Sequence, residues 1–77
     1  MEVYECEIIS EEQTMEVKSV LIKHGFTQIF TDFIVEEMKN SDWSFHYLAQ
    51  FIIGMCKSNV SIDMVTYLVF QKLSQKI

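Results

Sequence analysis

Apolar residues recur every three or four positions along most of the chain, after a short alternating stretch at its start. In residues 3 to 9, Tyr4, Cys6 and Ile8 alternate with Glu5 and Glu7. That period of two, with Val, Ile and Tyr present, predicts a short strand or extended arm. Ser10-Glu11-Glu12-Gln13 reads as a capping box, with Ser10 as N-cap, Gln13 reaching back and two Glu at the positive end of the helix dipole. A first helix therefore starts near Glu11. It ends at Lys23-His24, where Gly25 suits the left-handed position past the helix and Phe26 can fold back on Leu21. Its inward stripe reads Val17, Val20, Leu21 and His24.

Thr27 caps a second helix in which Ile29, Phe30, Phe33, Ile34 and Met38 recur at helical spacing, while Asp32, Glu36 and Glu37 point away. Asn40-Ser41-Asp42 ends it and caps the next. The third helix, Trp43 to Lys57, is apolar nearly all round: Trp43, Phe45, Tyr47, Leu48, Phe51, Ile52, Ile53, Met55 and Cys56 leave one polar strip of His46, Gln50, Gly54 and Lys57. A helix of that kind belongs at the centre of a fold. Ser58-Asn59 breaks the chain, and Ser61 or Asn59 caps a fourth helix with Ile62, Val65, Leu68, Val69 and Leu73 inward. Tyr67 and Phe70 fall off that stripe. The predicted fold is all-α or nearly so, a small bundle of three to four short helices behind an acidic strand-like arm.

Composition sharpens this picture. With 77 residues, residues 1-77 make a single domain, an arm over 1-9 and a bundle over 10-77. Such a chain buries only about 60% of the surface it exposes when unfolded, so stability has to come from a dense apolar core or from self-association. Two cysteines give no disulfide framework and no paired metal-ligand spacing. No cofactor is expected. The acidic start lacks the basic and apolar regions of a secretory signal, and the Trp43 to Cys56 stretch falls short of the ~20 residues a membrane span needs. The expectation is a cytoplasmic protein with reduced thiols that has no membrane partner. The absence of Arg and Pro and the single Ala suit an AT-rich genome, such as that of a phage or mobile element.

Catalytic chemistry finds little support. Nucleophilic catalysis would have to pair Cys6 or Cys56 with His24 or His46, yet both cysteines sit in apolar patterns where a thiol is normally inert. Glu11-Glu12 and Glu36-Glu37 are adjacent in sequence and so lie on different helix faces. Gly25 and Gly54 are isolated, which leaves no phosphate-binding loop. We therefore expect no enzyme.

Charge decides the rest. Residues 1 to 16 hold Glu2, Glu5, Glu7, Glu11, Glu12 and Glu16 and no Lys, a formal -6, whereas the remainder carries six Lys against five acids, a formal +1. The expected function is a non-catalytic regulator or inhibitor that docks this acidic surface on a basic surface of a larger protein, with Tyr67 and Phe70 adding apolar contact. Unpaired strand groups in residues 3 to 9 further predict a homodimer. The alternative is a small dimeric DNA-binding regulator, since a strand followed by two helices is the order of ribbon-helix-helix repressors, and the second and third helices read as a helix-turn-helix. Base readout leans on Arg, which the chain lacks, and Glu5 and Glu7 would face the groove. No direct contact with nucleic acid is expected.

Overall fold

A computed structural model of the protein describes residues 11–75. They form four helices: α1 (Glu11–His24), α2 (Gln28–Lys39), α3 (Phe45–Lys57) and α4 (Ile62–Ser74). The described residues include no strand. The expected arm over residues 1 to 9 and the Ser10 cap lie outside them.

Local chemistry fixes where each helix starts. The side-chain oxygens of Thr27, Ser44 and Ser61 accept from the backbone N–H groups of Phe30, Tyr47 and Met64 at 3.1, 3.2 and 3.2 Å, each satisfying a donor that the first turn leaves unpaired. Ser44 takes the place expected of Asn40-Ser41-Asp42, and α3 begins two residues later than its apolar pattern suggested. The reason is local competition: Ser41 Oγ accepts from the Trp43 N–H at 2.8 Å, holding residues 41 to 43 in a turn.

Two helices end in the same hydrogen-bond motif. After α1, Gly25 adopts φ +125°, and the N–H groups of Phe26 and Gly25 donate to the carbonyls of Leu21 and Ile22 at 3.0 and 3.1 Å. After α3, Asn59 adopts φ 61°, and Val60 and Asn59 donate to Met55 and Cys56, both at 3.1 Å. This pairing of a six-residue and a four-residue closure is the Schellman arrangement, which needs a left-handed residue, here Gly in one copy and Asn in the other. Both ends turn the chain sharply, so consecutive helices fold back on one another.

The core consists of Val17 and Leu21 from α1, Phe26, then Ile34, Val35 and Met38 from α2, Phe45, Leu48, Ala49, Ile52 and Ile53 from α3, and Val65 and Val69 from α4. As its nearly all-round apolar surface requires, α3 touches each of the other three helices. Its expected polar strip of His46, Gln50, Gly54 and Lys57 is exposed. Phe51, expected inside, is only half-buried.

The largest difference concerns α2. Its buried residues are Thr31, Ile34, Val35 and Met38, whereas Ile29 is 83% and Phe33 48% exposed. The helix is turned about a quarter rotation from the orientation its apolar stripe implied. Apolar side chains occupy most of its circumference, so periodicity alone does not choose the inward face. The choice places Thr31 in the core with its hydroxyl oxygen unpaired among the described residues.

Candidate interaction surface

The turned α2 leaves apolar side chains in solvent, and α4 continues them. The rings of Phe26 and Phe30 stack at 5.8 Å between centroids, and those of Phe30 and Phe33 at 6.2 Å. Phe70 of α4 lies 6.1 Å from Phe30 and 6.0 Å from Phe33, joining the two helices. Ile29 stands one turn before Phe33, and Tyr67, 61% exposed, one turn before Phe70. The result is a continuous face with Ile29, Phe33 and Tyr67 in solvent over half-buried Phe30 and Phe70. Scattered exposed hydrophobes are ordinary, whereas a contiguous apolar face is the kind of surface on which binding is sought.

The residues expected to bind a partner separate into groups. Glu2, Glu5 and Glu7 lie outside the described residues. Glu11, Glu12 and Glu16 are exposed along the first turns of α1. Tyr67 is exposed as expected, while Phe70 is half-buried against the α2 rings. Met38, on the expected apolar stripe of α2, is core at 1% exposure. Sequence reading missed Ile29 and Phe33. Their signal was present, since Thr31, Ile34, Val35 and Met38 make an equally good helical stripe that leaves Ile29, Phe33 and Glu36 together on the opposite side.

Charge around this face is negative. Asp32, Glu36 and Glu37 of α2 and Asp63 of α4 are exposed. Lys18 of α1 meets Asp32 at 3.3 Å. Lys39, in the last turn of α2, stands three residues after Glu36, and the remaining described lysines are placed elsewhere. Lys72 lies 4.8, 5.6 and 5.5 Å from the ring centroids of Trp43, Tyr47 and Phe51, and its backbone carbonyl accepts from Trp43 Nε1 at 3.1 Å. This cluster ties the end of α4 to the start of α3.

A second feature is an open groove of about 240 Å³ lined by Val20, Lys23, His24, Cys56 and Lys57. It brings together one of the His and Cys pairs that nucleophilic chemistry would need. Its chemistry is unpromising, because burial pushes the Cys56 thiol up from its ordinary value, keeping it protonated at neutral pH. The His24 Nε2–H donates to the Val60 carbonyl at 2.5 Å, which fixes the ring as a brace for the α3–α4 turn. His46 Nδ1 accepts from Gln13 Nε2 at 2.7 Å, linking α1 to α3. Among the described residues no cluster of three His, Cys, Asp or Glu could hold a metal ion, and no helix is long and apolar enough to cross a membrane.

The chain matches no protein-family model, no curated protein and no solved structure. Its chemistry has to be read from its own surface.

Proposed function

We propose that the chain is a non-catalytic protein-binding regulator or inhibitor acting in the cytoplasm, which docks on a basic surface of a larger protein. The observation that carries this reading is the α2–α4 face, where Ile29, Phe33 and Tyr67 stand in solvent over a packed aromatic floor. Exposing them wastes hydrophobic free energy, since fully burying such a side chain is worth about 1.5 to 3 kcal/mol. A partner that covers all three recovers most of it. The acidic rim and the net negative charge of residues 1 to 16 contribute steering rather than anchoring. Cys56, His24 and His46 fit the same reading, being held by burial and hydrogen bonds in structural roles.

The test is affinity capture from the native host with wild-type chain and the Ile29→Ser/Phe33→Ser double variant as parallel baits. A protein held by the first and lost from the second supports the reading. Identical captures on both baits would refute it. With the partner purified, changing Glu2, Glu5 and Glu7 together to Gln should slow association and weaken its salt dependence, because exposed charges act over a screening length of ~8 Å at physiological ionic strength.

A further inference from the structure

We infer that the partner element covering the α2–α4 face is a basic amphipathic helix, with aliphatic anchors along one side and Lys or Arg flanking them. The inference rests on the protein-binding reading above and adds the shape and charge of what binds.

Shape comes from α2. Ile29 and Phe33 lie one turn apart on the side opposite its buried residues, so they form a ridge along the helix rather than an isolated knob. Ridges of this spacing pack into the grooves of another helix. Beside the ridge, Phe30 and Phe33 meet Phe70, and exposed Tyr67 stands one turn before Phe70 on α4. A helix laid along α2 would therefore rest on α4 as well. At 1.5 Å per residue the 12 residues of α2 run about 18 Å, which a helix of ~12 to 14 residues covers.

Charge chooses among occupants. Asp32, Glu36 and Glu37 border the ridge, and Asp63 lies one turn before Tyr67. Lys18 offsets Asp32 alone. Lys39, three residues after Glu36, offsets part of the rim at the end of α2, which stays net negative with Glu37 and Asp63, while Lys23 and Lys57 line the groove between α1 and α3 and Lys72 is held over three rings. A second copy of this chain would set two acidic rims against each other, and nucleic acid would be repelled. A basic helix satisfies ridge and rim together, its apolar side packing on Ile29 and Phe33 and its flanking charges meeting the rim.

The test uses full-length chain and three labelled synthetic peptides of ~14 residues, matched to the α2 length. One carries Leu at helical spacing with Lys elsewhere, one the same residues scrambled so that no apolar face forms, and one Leu with Glu in place of Lys. Fluorescence anisotropy should show saturable binding of the first, weakened by about tenfold or more by scrambling and abolished by Glu. Ile29→Ser/Phe33→Ser and Glu36→Lys/Glu37→Lys should each weaken it by a similar factor; these side chains are exposed, and circular dichroism would verify that both variants remain folded. Amide shifts on binding should centre on residues 29 to 37 and 63 to 70. Equal binding of ordered and scrambled Leu/Lys peptides would overturn the inference, as would shifts centred on Glu11, Glu12 and Glu16, or no binding. Sedimentation showing a wild-type dimer that Phe33→Ser converts to a monomer would overturn it too, by assigning the face to a second copy. Peptide failure alongside successful face-dependent capture would remove the basic helix and leave the protein-binding reading standing. Failure of both would remove both.

Discussion

Ile52 and Ile29 carry the same side chain in similar helical backbone, yet Ile52 is fully buried in α3 and Ile29 is 83% exposed on α2. Replacing each by Ala isolates burial from chemistry. At Ile52 the change deletes three buried carbons, about 2.4 kcal/mol at ~0.8 kcal/mol each. The central position of α3 limits collapse into the cavity, so the expected cost is ~3 to 4 kcal/mol, within the range for such truncations. At Ile29 only about a sixth of the transfer term applies, ~0.4 kcal/mol, and the better helix propensity of Ala offsets it. A domain of this size has a total stability of roughly 4 to 12 kcal/mol. The first variant should therefore lose a large part of its stability and the second almost none. Urea unfolding followed by circular dichroism and by Trp43, the single tryptophan, would measure both. With a urea slope of about 1 kcal/mol per molar, the Ile52→Ala midpoint should fall by ~3 M while that of Ile29→Ala stays in place. An Ile29→Ala cost above ~1 kcal/mol would mean that α2 buries a different face, and the interaction surface argued above would disappear with it.

Other perturbations probe separate features. Gly25→Ala forces a Cβ onto φ +125° and places it 2.7 Å from Ile62 Cδ1. Since half-exposed Ile62 can yield, the backbone sets the expected loss of ~1 to 3 kcal/mol; thermal unfolding within a degree of wild type would refute the left-handed end of α1. Asn59→Gly keeps the same geometry at φ 61° and should change stability by less than ~1 kcal/mol in the same assay. Thr31→Val removes a buried hydroxyl with no partner among the described residues and should stabilise the fold by ~1 kcal/mol; destabilisation in urea would show that the hydroxyl is satisfied. In a Cys6→Ser background, Cys56 should react with a disulfide reagent more slowly in native than in urea-unfolded protein at pH 8, because burial raises its pKa. The sign for stability follows: a thiol pKa raised by folding contributes fully below the unfolded pKa and is lost as pH climbs through the folded one. Unfolding free energy should fall at alkaline pH, and a rise there would contradict the burial.

Features governed by neighbouring residues were legible in the sequence. The Thr27 and Ser61 caps and the turn at Gly25 follow from side chains within a few positions of the backbone groups they satisfy. The placement of α3 at the centre was equally readable, because a helix apolar on nearly every side has nowhere else to go. What the sequence hid depends on contacts distant along the chain. Trp43 and Lys72 are 29 positions apart, and nothing local pairs an indole with that carbonyl or that ammonium with three rings. The orientation of α2 failed for a different reason. A hydroxyl side chain such as Thr31 does not mark a core position in an apolar pattern, although the face containing Val35 and Met38 needs it inside. Ile29 and Phe33 were then assigned to the core they were large enough to fill. The surplus of apolar residues was visible in the composition, but its location was not, since Tyr67 announces itself by falling off the α4 stripe whereas Ile29 and Phe33 sit within a plausible stripe of their own. Locating the exposed α2–α4 face therefore required knowing which of two competing α2 stripes faces α3, a decision made by tertiary packing. The same decision leaves Asp32, Glu36 and Glu37 beside the exposed ridge, so that the apolar and acidic features, separate in the sequence, become one surface.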